Sequence, residues 1–356
     1  MRALADYDIE SLRAEFAAWG CKAAQADRIL LAFYHHAGHV DWAGLELGRT
    51  LLANIRKHIA LRQSRVLAQS ESLDGTLKLL LGLDHGGSVE TVLMRTSFPD
   101  RAAGCISSQI GCAMGCVFCA STQGGLERNL SAGEMVEQFL RLKEKALAAK
   151  RRVATVVFMG TGEPLLNLDN VIAAAKRIAG RGMGDVGWRQ ITVSTVGIVP
   201  GILKLAEANL NINLALSLHA PNDEVRSRIV PANLRYGVRE ILAATRRFYE
   251  LTGRIANIEY CLLAGINDSD GHARALAALL DGFRAHVNLI PCNSISAGFQ
   301  APPPERQQRF LSILRESKVA AHLRRTRGSD VNAACGQLRA GLAPSPQRHR
   351  GTEKGF

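Results

Sequence analysis

Across residues 1–62, apolar side chains recur at helical spacing: Ile9, Leu12, Phe16 and Trp19 share one face, and Gly20 follows as a stop. No strand pattern interrupts this stretch, which reads as an N-terminal helical accessory domain. From residue 63 the period shortens. Stretches 65–69, 76–83 and 88–94 look β-like and are separated by Asp74-Gly75 and Gly86-Gly87, both hairpin signals, so residues 63–100 read as a small β extension. Beyond them, apolar strand-like runs at 105–110, 153–159, 191–195, 212–218, 255–263, 286–291 and 319–323 alternate with helical stretches. That alternation is the mark of parallel βαβ units. Ser131 and Glu134 make a capping box ahead of Met135, Phe139 and Leu142, which fall on one helix face. Such units over residues 101–340 predict an α/β fold, a (βα) barrel open or closed, with its chemistry on the loops after the strands. Residues 341–356, rich in Pro, Gly and Arg, read as a disordered basic tail.

Composition narrows the class. The chain has 356 residues, 47% hydrophobic and 21% charged, which excludes disordered, collagen-like and coiled-coil proteins. Its apolar runs fall well short of the ~18 residues of a membrane span. Asp6 and Asp8 come before any apolar run has built up, unlike a secretory signal, so the expected location is the cytoplasm. Forty-four Lys and Arg against 32 Asp and Glu give a net charge of +12, which suits a polyanionic partner such as nucleic acid.

Eight cysteines are present: Cys21, Cys105, Cys112, Cys116, Cys119, Cys261, Cys292 and Cys335. In a reducing compartment, clustered cysteines bind metal or do redox chemistry more often than they form structural disulfides. Cys112-Ala-Met-Gly-Cys116-Val-Phe-Cys119 follows the first barrel strand, in a Gly-containing loop. A 4Fe-4S cube devoted to electron transfer takes four cysteines, so three leave one iron open to a ligand. Structural zinc needs four closed ligands, usually two separated pairs, and the sequence shows no second pair.

The spacing of this triplet, with Phe118 before its last cysteine, resembles the cluster motif of the radical S-adenosylmethionine (SAM) superfamily. Further segments narrow the likeness. Cys105-Ile-Ser-Ser-Gln-Ile-Gly-Cys112, Met159-Gly-Thr-Gly-Glu163-Pro164, Ser194-Thr195-Val-Gly197, Ser217-Leu218-His219-Ala220-Pro221-Asn222 and Ala334-Cys335-Gly336-Gln337-Leu338 occur in this order. Together they resemble the adenine methyltransferase family of RlmN, acting on C2, and Cfr, acting on C8. The likeness covers residues 64–340 and is weaker in the N-terminal helices. The segment departs from the family pattern at Ser294, where proline is expected, and at Thr161, where methionine is usual.

The resemblance implies a partial (βα) barrel of the radical SAM type, one 4Fe-4S cluster held by Cys112, Cys116 and Cys119, and two SAM molecules per turnover. It implies methylation of adenine 2503 in 23S rRNA and adenine 37 in tRNA, with a flavodoxin- or ferredoxin-type electron donor. A monomer is expected. The chemistry agrees, because C2 of adenine is an electron-poor sp² carbon that cannot attack the SAM methyl group as an amine would. By resemblance, one SAM methylates Cys335 and a deoxyadenosyl radical from a second takes a hydrogen from that methyl. The resulting methylene radical adds to the base, giving a protein–RNA thioether. Cys105 matches the thiol that then attacks the Cys335 sulfur, leaving a disulfide. Glu90 matches the acid that removes the C2 proton, with Cys105 as the other candidate. Gly162 and Glu163 match the loop meeting the SAM ammonium, and Ser194, Ser217, Leu218, His219 and Asn293 match its remaining contacts. The Gly162 loop lacks the lysine of a P-loop and the third glycine of a dinucleotide fingerprint, so it is not an ATP or NAD site. Arg324, Arg325 and Arg327, just before Cys335, are candidates for holding RNA phosphates. C8 methylation and a noncatalytic metal-bearing RNA-binding module are the competing readings.

Overall fold

The computed structural model describes residues 1–293, 298–324 and 326–338. Ser294, Arg325 and the tail at 341–356 lie outside these residues. Three helices come first, α1 (Ile9–Ala18), α2 (Gln25–His35) and α3 (Arg49–His58). Leu12 and Phe16 of α1 and Ile29, Leu30 and Phe33 of α2 are buried in the same apolar core as the barrel helices.

Ten strands then form one sheet in chain order. They are β1 (Ser64–Glu71), β2 (Leu77–Leu83), β3 (Ser88–Arg95), β4 (Arg101–Cys105) and β5 (Arg152–Phe158). There follow β6 (Ile191–Thr195), β7 (Asn213–Ser217), β8 (Ala256–Leu262), β9 (Ala285–Pro291) and β10 (Ala320–Leu323). Strands β1 to β4 pair antiparallel, and β4 to β10 pair parallel. The parallel crossovers carry α4 (Ala132–Ala148), α5 (Leu168–Ala179), α6 (Val199–Glu207), α7 (Asp223–Ile229), α8 (Val238–Thr252), α9 (Asp270–Leu279) and α10 (Pro304–Glu316). Strands β1 and β10 end the order, so the sheet is open and the barrel partial. No helix among the described residues is long and apolar enough to cross a membrane.

Local chemistry explains the elements. Leu79, Leu81 and Leu83 alternate to one buried face of β2. At the start of α4 the Glu134 N–H donates to Ser131 Oγ at 3.1 Å while Ser131 N–H donates to the Glu134 carboxylate at 2.8 Å, the reciprocal cap. Six parallel strands fall where the apolar runs place them. The first does not: the run at 105–110 predicts a strand, but β4 ends at Cys105. Ala102, Ala103 and Gly104 carry little strand propensity, and at Gly104 a Cβ would come within 3.0 Å of Leu142 on α4. Downstream, Gln109–Gly111 pairs with Leu126–Asn129 and closes off the loop holding the cysteine triplet. The correction puts Cys105 at the end of a strand, where barrel chemistry is done.

Candidate active site

At the ends of the parallel strands lie two adjoining cavities, an inner one of about 160 Å³ and an outer one of about 530 Å³. Cys112, Cys116, Cys119, Gly162, Glu163, Ser194, Ser217 and His219 line the inner cavity. Cys105, Met94, Arg95 and Arg327 line the outer one, while Cys119, Asn293, Arg324 and Cys335 border both. Two residues singled out by sequence line neither cavity. Leu218 is wholly buried behind the strand end, its carbonyl accepting from Arg226 Nε at 2.9 Å. Glu90 is buried in β3 with Lys78 Nζ 2.8 Å from its carboxylate. It lies two residues before Val92, a residue of the outer cavity wall paired in register with Cys105.

Each inner-cavity group is fixed by a specific contact. Gly162 has φ +108°, and a Cβ there would come within 2.6 Å of the Gln109 side chain, so the loop after β5 requires glycine. Glu163 donates its N–H to Gln109 Oε1 at 2.8 Å, and its two carboxylate oxygens accept from Leu165 N–H at 3.0 Å and Val196 N–H at 2.9 Å. Burial outweighs these donors and pushes the Glu163 carboxyl up to about 7, so a cationic ligand in the cavity would favour its ionised form. The Ser194 hydroxyl donates to Phe158 O at 2.7 Å. His219 sits at φ 61°, with Nδ1 accepting from Cys261 N–H at 3.0 Å. Burial pushes its imidazole down to about 3, so it is neutral, and the Nδ1 bond leaves the proton on Nε2. Phe118 meets the His219 ring edge-on at 4.9 Å.

The cysteine triplet fits an iron–sulfur cube. Among the described residues no three metal-ligating side chains converge as ligands of a single ion would. Three thiolates of a cube hold three different irons, so they share a chamber without converging on a point. Burial pushes the Cys112 thiol up to about 11 and raises Cys116 and Cys119 as well, so a cationic cluster is needed to hold them as thiolates. Cys335 is exposed on the irregular segment after β10. Its carbonyl accepts from Asn293 Nδ2 at 3.0 Å, and that of the next residue, Gly336, accepts from Ala120 N–H at 2.7 Å.

Residues 106–277 match the Radical SAM superfamily. Over 342 residues the chain is 50% identical to "Probable dual-specificity RNA methyltransferase RlmN 1" of Opitutus terrae, covering 95% of this chain and 96% of that protein. The chain belongs to the RlmN family of radical SAM RNA methyltransferases. It is 40% identical to an RlmN relative from Thermotoga sp. strain RQ2, covering 95% of this chain and 98% of that one. A crystal structure of a radical SAM methyltransferase from Sphaerobacter thermophilus is 42% identical, with a TM-score of 0.91 over 95% of this chain and 99% of that chain. Membership in the RlmN family implies a 4Fe-4S cluster and the use of SAM.

Two buried groups of this RlmN-family site escape sequence reasoning. Arg226 binds the carbonyls of Val196, Ser217 and Leu218 and the Asn233 side chain, tying the ends of β6 and β7 together. Burial pushes its guanidinium down to about 10. Glu259 on β8 lines the inner cavity and accepts from Asn288 at 2.7 Å, and Arg324 lies 3.9 Å from its other oxygen. Arg324 therefore faces the junction of the cavities and not a solvated basic surface. Only the fold brings Glu259 its partners, whereas Arg226 takes Ser217, Leu218 and Asn233 from within 9 residues of itself and only Val196 from farther away.

Proposed function

We propose that this chain methylates C2 of adenine, in 23S rRNA at adenine 2503 and in tRNA at adenine 37, through a methylated Cys335. The observation carrying this reading is that Cys335 borders both cavities: the inner, beside the cysteine triplet, and the outer, beside Cys105. When bound, the cluster and two SAM molecules supply the methyl group, one electron and a hydrogen-abstracting radical. Cys112, Cys116 and Cys119 hold the cluster. Gly162, Glu163, Ser194, Ser217, His219 and Asn293 orient SAM, with Leu218, buried behind the strand end, supporting the adjoining His219. The thiolate of Cys335 accepts the methyl group and presents it to the base in the outer cavity. Glu90 takes the C2 proton, with Cys105 the other candidate. Once the radical adduct has given up one electron, returned to the cluster, Cys105 attacks the Cys335 sulfur; the carbon–sulfur bond breaks with its electron pair on the methylene carbon, which takes up a proton to become the methyl group, and a Cys105–Cys335 disulfide forms.

Arg95 and Arg327 around the outer cavity supply the positive charge that an RNA backbone needs, while Arg324 turns toward Glu259 at its inner end. The target adenine leaves its stack to enter. The enzyme works as a cytoplasmic monomer with a flavodoxin- or ferredoxin-type donor. Glu163-Pro164 supports C2 over C8 chemistry. The test is nucleoside mass spectrometry of rRNA and tRNA after incubation with reconstituted protein, SAM and reductant. The expected product is 2-methyladenosine; 8-methyladenosine alone would move the chain to the C8 reaction, and no methyladenosine would overturn both.

A further inference from the structure

Cys335, whose own carbonyl accepts from Asn293 Nδ2 at 3.0 Å, sits on a bridge with two further anchors. One anchor belongs to the cluster loop, where Ala120 N–H donates to Gly336 O at 2.7 Å and Ser121 Oγ to Leu338 O at 2.8 Å. The other is made with the hairpin joining β1 to β2, at positions 254 to 258 residues away in the chain. There the Ser72 hydroxyl donates to Asp330 Oδ1 at 2.6 Å and Leu73 N–H to Asp330 Oδ2 at 3.2 Å. In the opposite direction, Gly328 N–H donates to Asp74 Oδ2 at 3.0 Å. Lys78, on β2, donates to Asn332 O at 3.1 Å while its ammonium lies 2.8 Å from Glu90. Arg327 also donates to Arg95 O.

The hairpin is built to be a rigid partner. Its turn is closed by Ser72 N–H to Thr76 O at 2.8 Å and Gly75 N–H to Ser72 O at 2.9 Å, and Asp74 Oδ1 accepts from Thr76 N–H at 2.8 Å. Gly328, at φ 65°, lets the two segments touch, since a Cβ there would come within 2.9 Å of Thr76 Cγ2. The held segment has only the short 3₁₀ turn Ser329–Val331 of its own, so its position depends on these contacts. From it, Ala333 and Leu338 pack with Val92 and Cys105.

We propose that Ser72, Asp74, Lys78 and Asp330 are positioning residues for methyl transfer, a clasp that holds Cys335 at the junction of the two cavities and opposite Cys105. The inference rests on the reading that Cys335 carries the methyl group. None of the four touches either cavity; they act through the backbone of residues 328–332. Loosening the clasp leaves the cluster loop intact while Cys335 wanders, and a misplacement near 1 Å can cost ~100-fold in rate.

The test compares wild type with Asp74→Ala/Asp330→Ala, reconstituted alike. Iron content and 5′-deoxyadenosine formation are expected to stay near wild type. Methyladenosine formed per 5′-deoxyadenosine should fall by about tenfold or more. In the protein without RNA, amide exchange at Gly328 and Leu73 should rise and alkylation of Cys335 quicken. Asp330→Asn, which keeps one acceptor oxygen, should recover part of the ratio. If the double variant fails to fold, Ser72→Ala and Asp330→Asn carry the same readouts. An unchanged ratio with unchanged exchange overturns the clasp, as does an equal fall in iron, 5′-deoxyadenosine and methyladenosine. If wild type itself makes no methyladenosine, the functional reading fails, whereas the exchange and alkylation measurements still judge whether the clasp holds Cys335.

Discussion

In the parallel half of the sheet, β4 to β10, each strand reaches its neighbour through a helical crossover, and the inner cavity is walled by consecutive strand ends. In the antiparallel half, β1 to β3, the contacts that matter to Cys335 join residues 254 to 258 positions apart. On the proposed reading the two halves do different work: the first builds a chamber for cluster and SAM, and the second helps hold the group proposed to carry the methyl from one cavity to the other. Changes to the chamber should stop the chemistry at its origin. Changes to the holding side should leave the origin running and uncouple it from the product.

The largest expected effect follows in the chamber. Cys116→Ala removes one of the three thiols of the triplet lining the inner cavity, so most iron should be lost and 5′-deoxyadenosine formation abolished. Iron analysis and chromatography of the nucleoside products are the measurements. Full SAM cleavage by this variant would remove the triplet from its assigned role and erase the contrast between the halves.

Next comes the seam between the halves, where Cys105 ends β4. Burial pushes its thiol up to about 12, so at neutral pH it rests protonated and must be activated within the complex. Cys105→Ala should keep iron, permit methylation of Cys335 and stall with RNA covalently attached. The adduct should resist denaturant and require SAM, reductant and intact Cys335. If Glu90 is the base, the trapped adenine has already lost its C2 hydrogen, whereas Glu90→Gln should trap an adduct that retains it. Peptide mass spectrometry after nuclease digestion separates the two, and normal turnover by Cys105→Ala would take that residue out of the mechanism.

The same contrast explains what was legible before the fold was known. Six parallel strands announce themselves as apolar runs, and the cysteine triplet as a spacing, because both are local. Strand β4 hides behind Ala102, Ala103 and Gly104, the last of which packs closely against Leu142 on α4. Glu259 and the Asp330–Ser72 contact carry no local signal, since each acquires its partner only when distant segments are brought together, whereas Arg226 takes partners 7, 8 and 9 residues away as well as Val196, 30 away. Glu90 was legible as a candidate, but its pairing with Lys78 was not.

Acid should open the clasp at a pH well below the value of about 7 at which Glu163 in the chamber takes up a proton. For Asp74, burial alone would raise the carboxyl, but hydrogen bonds from Thr76, Gly328 and Ser72 outweigh it and hold the group below its ordinary value. Asp330 is also held down, by Ser72 first and then Leu73 N–H. A depressed carboxyl contributes stability above its unfolded value of about 3.9 and loses that contribution as the pH falls through the lower folded value. Protection of the Gly328 amide, taken relative to its intrinsic exchange rate at each pH, should therefore fall below about pH 4 in wild type and not in Asp74→Ala/Asp330→Ala. Identical acid profiles for the two proteins would show that these carboxylates do not hold the segment.

The smallest expected effect sits in the parallel half, away from both cavities. Ser131→Ala removes the acceptor that caps α4 and a hydroxyl that donates to Asp6 at 3.2 Å, at a cost of about 1 kcal/mol. For a chain of this size that lowers the melting temperature by about 2 °C. Because α4 packs behind the sheet and the cap touches neither cavity, methyladenosine per 5′-deoxyadenosine should not change. This variant is the mirror of the clasp variants, which should leave iron and SAM cleavage alone and alter the ratio. Thermal unfolding followed by product analysis of one preparation reads both quantities. If Ser131→Ala moved the ratio as far as Asp74→Ala/Asp330→Ala does, coupling would track general stability, and the division of labour between the two halves would not hold.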